Sequence, residues 1–151
     1  MASPRMSDDE IWAFVTDSHT GIMTTLRRDG MPISLPLWFV CLDRAIYVRT
    51  RGKKLARIAN DPRAAFLVES GVAWSDLRAV HLTGRADLVD LDGALADRYR
   101  AEVDRKYAAH KTARSDMPKA TADAYATAIG GIVRFTPDER VLHWDNRKLA
   151  D

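Results

Sequence analysis

The chain has 151 residues, of which 46% are hydrophobic and 29% charged, so we expect residues 1–151 to form one domain with a single core. The formal net charge of +2 is too small to indicate a nucleic-acid partner by itself. A lone cysteine, Cys41, excludes an internal disulfide, and no apolar run approaches the roughly 20 residues that span a bilayer. With no secretory signal near the N-terminus, these features predict a soluble, cytoplasmic protein.

The N-terminal residues predict a short helix over about 8–16. Ser7 followed by Glu10 has the pattern of a capping box, in which each residue satisfies a backbone N–H of the other. The apolar residues that follow recur on one helical face: Ile11, Trp12, Phe14 and Val15.

From Gly21 the hydrophobic period changes to two, which indicates strands. Asp29-Gly30 supplies a hairpin turn between the first strand and a second strand over about 32–42. Pro36 cannot donate to a ladder, so we expect a bulge or a locally unpaired position there. Further strands are predicted over 45–50, with Ile46 and Val48 inward, over 64–69, and over 80–89, with Val80, Leu82, Ala86 and Leu88 on one side.

The remaining segments predict helices and one last strand. A short helix over 54–60 should bury Leu55, Ile58 and Ala59 before Asp61-Pro62 ends it. A four-residue repeat from Leu91 to Tyr107 predicts an amphipathic helix. A polar loop over 110–118, a helix over 119–128 and a strand over 132–144, interrupted at Pro137-Asp138, complete the chain.

This order of elements predicts a mainly β (α+β) fold, a closed or nearly closed antiparallel barrel of about six strands with short flanking helices. Closure of a barrel removes exposed strand edges. A parallel α/β sheet would require a regular alternation of strands and helices, which the sequence lacks.

The most informative stretch is a basic junction between the third strand and the helix that follows. Five of the nine residues from 49 to 57 are basic: Arg49, Arg51, Lys53, Lys54 and Arg57. A helix N-terminus offers free N–H groups, Thr50 adds a hydroxyl, and arginine adds a bidentate fork. The combination favours a pocket for a phosphate monoester. The alternative is a solvated basic face on a surface helix.

Two further segments suit a bound ring system. The strand through Pro36, Leu37 and Trp38 could present free backbone groups to the edge of a flat heterocycle and an indole to its face, although such a strand is normally core. The tail from Trp144 to Arg147 suits either a dimer contact or a lid over a cofactor, and a frayed strand end is the alternative. The four histidines show no metal-ligand spacing, so we predict no metal site.

The chain resembles the pyridoxamine 5′-phosphate oxidase-like, FMN-binding split-barrel superfamily. The resemblance is strong from about Trp12 to Val89 and weaker in the C-terminal third. Five short patterns in the expected order carry it: Gly21–Gly30, Pro36–Phe39, Thr50–Lys54, Asn60–Arg63 and Leu82–Ala86.

The resemblance implies a six-stranded split barrel that forms a homodimer with two cofactor sites at the subunit interface. It assigns the cofactor phosphate to Arg49, Thr50, Arg51, Lys53 and Lys54, with Lys54 at the position of the lysine that stands seven residues before the Asp-Pro. It places Pro36, Leu37 and Trp38 along the isoalloxazine, and either Trp74 or Trp144 of the partner is a candidate to close the site.

On these grounds we predict an oxidoreductase that uses FMN, or alternatively the deazaflavin coenzyme F-420, to exchange hydride with a small unsaturated or planar substrate. The residues that bind the substrate phosphate in true pyridoxamine phosphate oxidases are not recognisable, so vitamin B6 phosphate is not the expected substrate. No catalytic residue is assigned, because the cofactor carries the chemistry. The alternatives are a non-catalytic flavin- or haem-binding protein and a nucleic-acid binder that uses residues 49–57.

Overall fold

The structure, a computed structural model, describes residues 1–127 and 130–149 and begins with helix α1 at Asp8–Asp17. Both halves of the predicted capping box form. The Glu10 N–H donates to Ser7 Oγ at 3.3 Å, and the Ser7 N–H donates to Glu10 Oε2 at 2.6 Å. Since Ile11, Phe14 and Val15 are buried on the inner face, the predicted N-terminal helix is confirmed.

The strands form one antiparallel sheet, as predicted, and the described residues contain seven of them rather than six. Their bounds are β1 Thr20–Leu26, β2 Pro32–Trp38, β3 Val40–Leu42, β4 Ala45–Arg51, β5 Arg63–Ser70, β6 Arg78–Val89 and β7 Gly130–Asp145. The additional strand arises because the segment predicted as one strand over 32–42 is divided at Phe39.

The sheet curls into a nearly closed barrel because β2 and β3 lie at opposite ends of the strand order β2-β1-β5-β6-β7-β4-β3. These two strands are consecutive in the chain, so Phe39 joins the two edges of the sheet. The predicted irregularity at Pro36 is wrong, since Pro36 pairs with Ile22 in an unbroken register. Proline is tolerated there because β2 is paired on one side only, so its nitrogen can face away from the ladder.

The barrel interior is apolar. Ile46 and Val48 of β4 are fully buried as predicted, together with Phe39, Phe66, Val80, Leu82, Val133 and Phe135. Helix α2, at Lys53–Asn60, buries Ile58, but Leu55 is only half-buried and Ala59 is exposed, which corrects the predicted face. Leu88 is also wrongly predicted. It is 63% exposed because it lies two residues beyond Ala86, where β6 has passed the core.

The predicted interruption at Pro137-Asp138 is replaced by a bulge between β6 and β7. Strand β7 is continuous, and the irregularity is absorbed by a register shift between Leu82 and Gly84, with Gly84 opposite Pro137. A Cβ atom on Gly84 would lie 2.1 Å from the carbonyl oxygen of Thr136. The close approach of the two backbones therefore requires glycine at position 84.

Between β6 and β7 lies a helical insertion, residues 93–127. It comprises α3 at Gly93–Tyr107, two 3-10 turns at Ala108–His110 and Arg114–Asp116, and α4 at Lys119–Thr127. Leu91, where the predicted long helix begins, precedes α3, and Ala128, the last residue of the next predicted helix, lies outside the described residues. No helix in the described ranges is both long and apolar enough to cross a membrane.

Tyr107 anchors this insertion to the barrel at the break between β2 and β3. Its hydroxyl accepts from the N–H of Phe39 at 2.8 Å and lies 2.7 Å from the carbonyl of Phe39 and 2.8 Å from that of His19, to either of which it can donate. Lys106 Nζ donates to the same Phe39 carbonyl at 2.9 Å. Burial raises the pKa of Tyr107 to about 12 and lowers the pKa of Lys106 to about 8.

Candidate functional site

A cavity of about 660 Å³ lies between the barrel and the helical insertion. The barrel contributes the β2–β3 junction (Trp38–Val40), the end of β4 (Arg49–Arg51) and Gly130. The insertion contributes Tyr99, Val103 and Tyr107 from α3, polar residues from the connecting loop, and Tyr125 from α4. Two parts of the chain that are distant in sequence therefore form one site.

One side of the cavity is a flat aromatic surface. Trp38 stacks on Tyr107 with a centroid distance of 4.5 Å and an interplanar angle of 8°. His19 packs edge-on against both rings, at 5.6 Å from Trp38 and 5.0 Å from Tyr107. Trp38 keeps 41% of its surface exposed, so part of its indole is available to pack against a ligand.

The other side carries positive charge. Arg49, Arg51, Lys111 and Arg114 line the cavity, and none of the described lining residues is acidic. The Cζ of Arg51 lies over the ring of Tyr125, 3.6 Å from its centroid, in a cation–π contact. Thr50, between the two arginines, is only 8% exposed and also reaches the cavity. The site therefore favours a planar ligand that bears an anionic group.

The predicted basic junction does not form one surface. Arg49, Thr50 and Arg51 line the cavity, but only the two arginines project from that face of β4, because Thr50 is buried on the inward face with Ile46 and Val48. Lys53 and Arg57 line a separate depression of about 300 Å³ together with Arg27 and Arg28. Lys54 is half-buried in the first turn of α2 and is not among the residues that line either one. Helix α2 begins at Lys53 and turns away from β4, so basic residues that are close in sequence reach different surfaces.

Three more of the predicted residues are not part of the cavity lining. Pro36 and Leu37 precede Trp38 on β2 but do not line the cavity. Trp144 is half-buried on β7, where it pairs with Ala79, and it is also absent from the lining. A role for Trp144 at the site of a partner subunit stays a prediction.

Sequence reasoning missed the contribution of the insertion. The segment 110–118 was predicted only as a polar loop, yet His110, Lys111 and Arg114 line the cavity. Tyr99 and Tyr107 were assigned to the apolar face of a helix. The tyrosines on that face are the feature of the sequence that could have indicated a polar contact there, because a buried tyrosine hydroxyl requires a polar partner.

A second cavity, of about 560 Å³, lies between α1 and the ends of β5, β6 and β7. Its charges are mixed in sign, and several of them have partners within the protein. Asp145 forms an ion pair with Arg147 at 2.5 Å, and Arg78 donates to Ser70 and stacks on Phe14. Since these groups already have partners, the larger cationic cavity is the candidate site.

Comparison with known proteins agrees with this architecture. Residues 7–130 match the family described as pyridoxamine 5′-phosphate oxidase. The conserved hypothetical protein Rv2991 of Mycobacterium tuberculosis has a similar structure, with 30% identity, a TM-score of 0.78, and coverage of 100% of this chain and 92% of that one.

Two more distant structures share the fold. A FAD-binding protein of Mesorhizobium loti has 18% identity and a TM-score of 0.68, with coverage of 91% and 94% of the two chains. HutZ, the haem storage protein of Vibrio cholerae, has 13% identity and a TM-score of 0.64, with coverage of 89% and 92%. No curated protein matches the sequence.

Proposed function

Because the chain belongs to the pyridoxamine 5′-phosphate oxidase family, we propose that it is an oxidoreductase that binds FMN or the deazaflavin F-420 in the cationic cavity. The supporting observation is that one cavity combines the Trp38–Tyr107 stack with Arg49, Thr50 and Arg51 and has no acidic residue among its described lining. FMN has two parts that suit these features, a flat ring system and a phosphate.

The residues of this chain would bind and orient such a cofactor. Arg49 and Arg51 attract its phosphate, Thr50 lines the cavity between them, and the exposed part of Trp38 packs against the ring. The cofactor, when bound, supplies hydride exchange with a small unsaturated or planar substrate. The hydroxyl of Tyr107 is occupied by the backbone of Phe39 and His19, so we assign it no proton transfer.

The proposal is tested by absorbance titration of the purified protein with FMN and with F-420. We expect Arg49→Ala and Arg51→Ala each to weaken binding about 10-fold or more, because a hydrogen bond to a charged group contributes about 1.5–3 kcal/mol. Arg100→Ala is the matched control, since Arg100 lies exposed on α3, pairs with Asp97 and is outside the cavity.

Lys53→Ala and Lys54→Ala complete the series, because the family resemblance assigns both lysines to the phosphate. A loss of cofactor affinity in these two variants alone would indicate that the phosphate binds at the first turn of α2 and not in the cavity. If neither cofactor binds, or if Arg49→Ala and Arg51→Ala bind both cofactors like the wild type, the proposed site is wrong.

Haem is the second candidate ligand, and one observation favours it. His110 lines the cavity and packs edge-on against His19 at 4.8 Å, so an imidazole is available to a ligand that also meets cationic side chains. Haem combines an iron that takes histidine with two carboxylates. A haem titration with His110→Ala as the variant separates the two candidates, because a flavin site does not require this imidazole.

We also propose a homodimer formed through the outer face of the sheet. Ile22, Leu67, His81 and Leu142 are cross-strand neighbours in one row, and the next residues on β5 and β6, Phe66 and Leu82, face the core. Leu142 is 60% exposed. A second copy of the chain would cover the apolar side chains of this row. Pro36, which pairs with Ile22, lies at the end of the row.

Leu142→Glu is expected to convert the dimer to a monomer, because a carboxylate would be buried at the interface without a partner. Light scattering coupled to gel filtration measures the mass in solution. Leu88→Glu is the control, since Leu88 is equally exposed but lies outside the row. A wild-type protein that is monomeric, or a Leu142→Glu variant that keeps the dimeric mass, would contradict the proposed interface.

A further inference from the structure

One face of β4 carries a row of three side chains that points toward the helical insertion. Tyr47, Arg49 and Arg51 are spaced by two residues, so they project from the same side of the strand. The insertion covers both ends of the row with tyrosines. Tyr99 packs on Tyr47 with a centroid distance of 6.5 Å and an angle of 63°, and Tyr125 packs on the guanidinium of Arg51. Arg49 lies between these two contacts.

Tyr99 differs from the other tyrosine of α3 in the use of its hydroxyl. Tyr107 is fully buried and is hydrogen-bonded to the backbone at the β2–β3 junction. Tyr99 is half-buried and lines the cavity, and its hydroxyl makes no hydrogen bond to any residue in the ranges 1–127 and 130–149. Its ring packs edge-on against Tyr47, on the same side of β4 as Arg49.

The electrostatic surroundings keep this hydroxyl a donor. Burial raises the pKa of Tyr99, and the positive charge of Arg49 opposes that shift, which places the two side chains within electrostatic reach of each other. A phenol with a raised pKa is protonated throughout the neutral range. In addition, Arg49 has no carboxylate partner within the described part of the chain, so its guanidinium is also available to a ligand.

We propose that Tyr99 is a specificity-determining residue, which donates a hydrogen bond to the anionic group that Arg49 binds, so that β4 and the insertion share one phosphate site. This inference rests on the proposed function and extends it to a residue outside the basic junction. A phosphate monoester has three terminal oxygens, enough to accept from a guanidinium and a phenol together. Tyr125 supports the same site by orienting Arg51.

Tyr99→Phe tests the proposal, because it keeps the ring on Tyr47 and removes only the donor. FMN and riboflavin form a matched ligand pair that differs by the phosphate. We expect the dissociation constant for FMN to rise about 10-fold and that for riboflavin to change less than about 2-fold, since a hydrogen bond to a charged group contributes about 1.5–3 kcal/mol. Arg100→Ala is the control, because Arg100 lies exposed on the same helix, pairs with Asp97 and does not line the cavity.

A double-mutant cycle with Arg49→Gln adds an independent measurement. If Tyr99 and Arg49 bind the same anion, the loss of FMN affinity in the double variant should be smaller than the product of the two single losses. An equal loss for FMN and riboflavin in Tyr99→Phe would show a role in ring packing and overturn the proposal. An unchanged affinity of Tyr99→Phe for FMN would also overturn the proposal.

The inference remains testable if the wild type binds no flavin. Phenyl phosphate and phenol are then titrated into the ligand-free protein, and binding is followed by intrinsic fluorescence. The wild type is expected to prefer phenyl phosphate, and Tyr99→Phe should lose about 10-fold for that ligand alone, in line with a charged hydrogen bond. Absence of this preference in the wild type would overturn the phosphate site itself, and an undiminished preference in Tyr99→Phe would overturn the role of Tyr99.

Discussion

Tyr107→Ala is expected to lower the free energy of unfolding by about 4 kcal/mol, within the usual range for truncation of a buried aromatic residue. Tyr107 is 1% exposed and connects three parts of the chain: α3, the β2–β3 junction and the start of β1. The variant loses the buried ring, removes the partner of the Phe39 N–H and ends the stack on Trp38. Urea unfolding followed by far-UV circular dichroism measures the change.

Tyr107→Phe separates the hydroxyl from the ring. We expect a loss of about 2 kcal/mol, because the buried N–H of Phe39 is left without its partner. Tyr99→Phe is the matched control on the same helix, and since its hydroxyl has no partner in the described residues, it should cost less than about 0.5 kcal/mol. Equal stability of Tyr107→Phe and the wild type would show that this hydroxyl does not anchor the insertion.

Gly84→Ala is expected to destabilise the protein by about 3 kcal/mol, at the upper end of the usual cost of overpacking. The added methyl group would lie 2.1 Å from the carbonyl oxygen of Thr136 and 2.9 Å from Cα of Pro137. These are backbone atoms of β7, and they cannot retreat without breaking the ladder between β6 and β7. Thermal unfolding monitored by circular dichroism provides the measurement.

Gly130→Ala is the control for this prediction. Gly130 also lies in β7, but a Cβ atom there would approach the carbonyl oxygen of Thr50 only to 3.4 Å, an ordinary contact. We expect a change below about 1 kcal/mol. If both substitutions have the same small effect, the bulge at Gly84 is more adaptable than its geometry indicates.

The elements that sequence predicted well are those whose signal is local. Alternation of apolar residues identified β4, β5 and β6, and the Ser7–Glu10 pair identified the start of α1. The wrong predictions concern positions where the pairing between strands determines the local structure. Whether Pro36 interrupts a strand depends on which side of β2 is paired, and whether Pro137 ends β7 depends on the register of the opposite strand, so neither outcome is encoded in the neighbouring residues.

In the candidate site, too, the sequence predicts the residues that a local pattern identifies and not those that tertiary structure brings together. The strand-to-helix junction identified Arg49, Thr50 and Arg51, because a break in period next to a glycine is visible in the sequence. It did not show that Lys53 turns to a different surface, since that depends on the direction in which α2 leaves the sheet. Nor did any local pattern show that Tyr99 and the loop through Lys111 return to the same cavity.

The position of the insertion has a consequence for how this architecture can diversify. Val89 and Ile132 are paired neighbours on β6 and β7, so the chain departs from the sheet and rejoins it at a single point. Segments attached in this way can be lengthened, shortened or exchanged during evolution without altering the registers that hold the scaffold together. Because the helical insertion forms about half of the cavity, substitutions in it can change ligand preference without changing the residues that form the barrel.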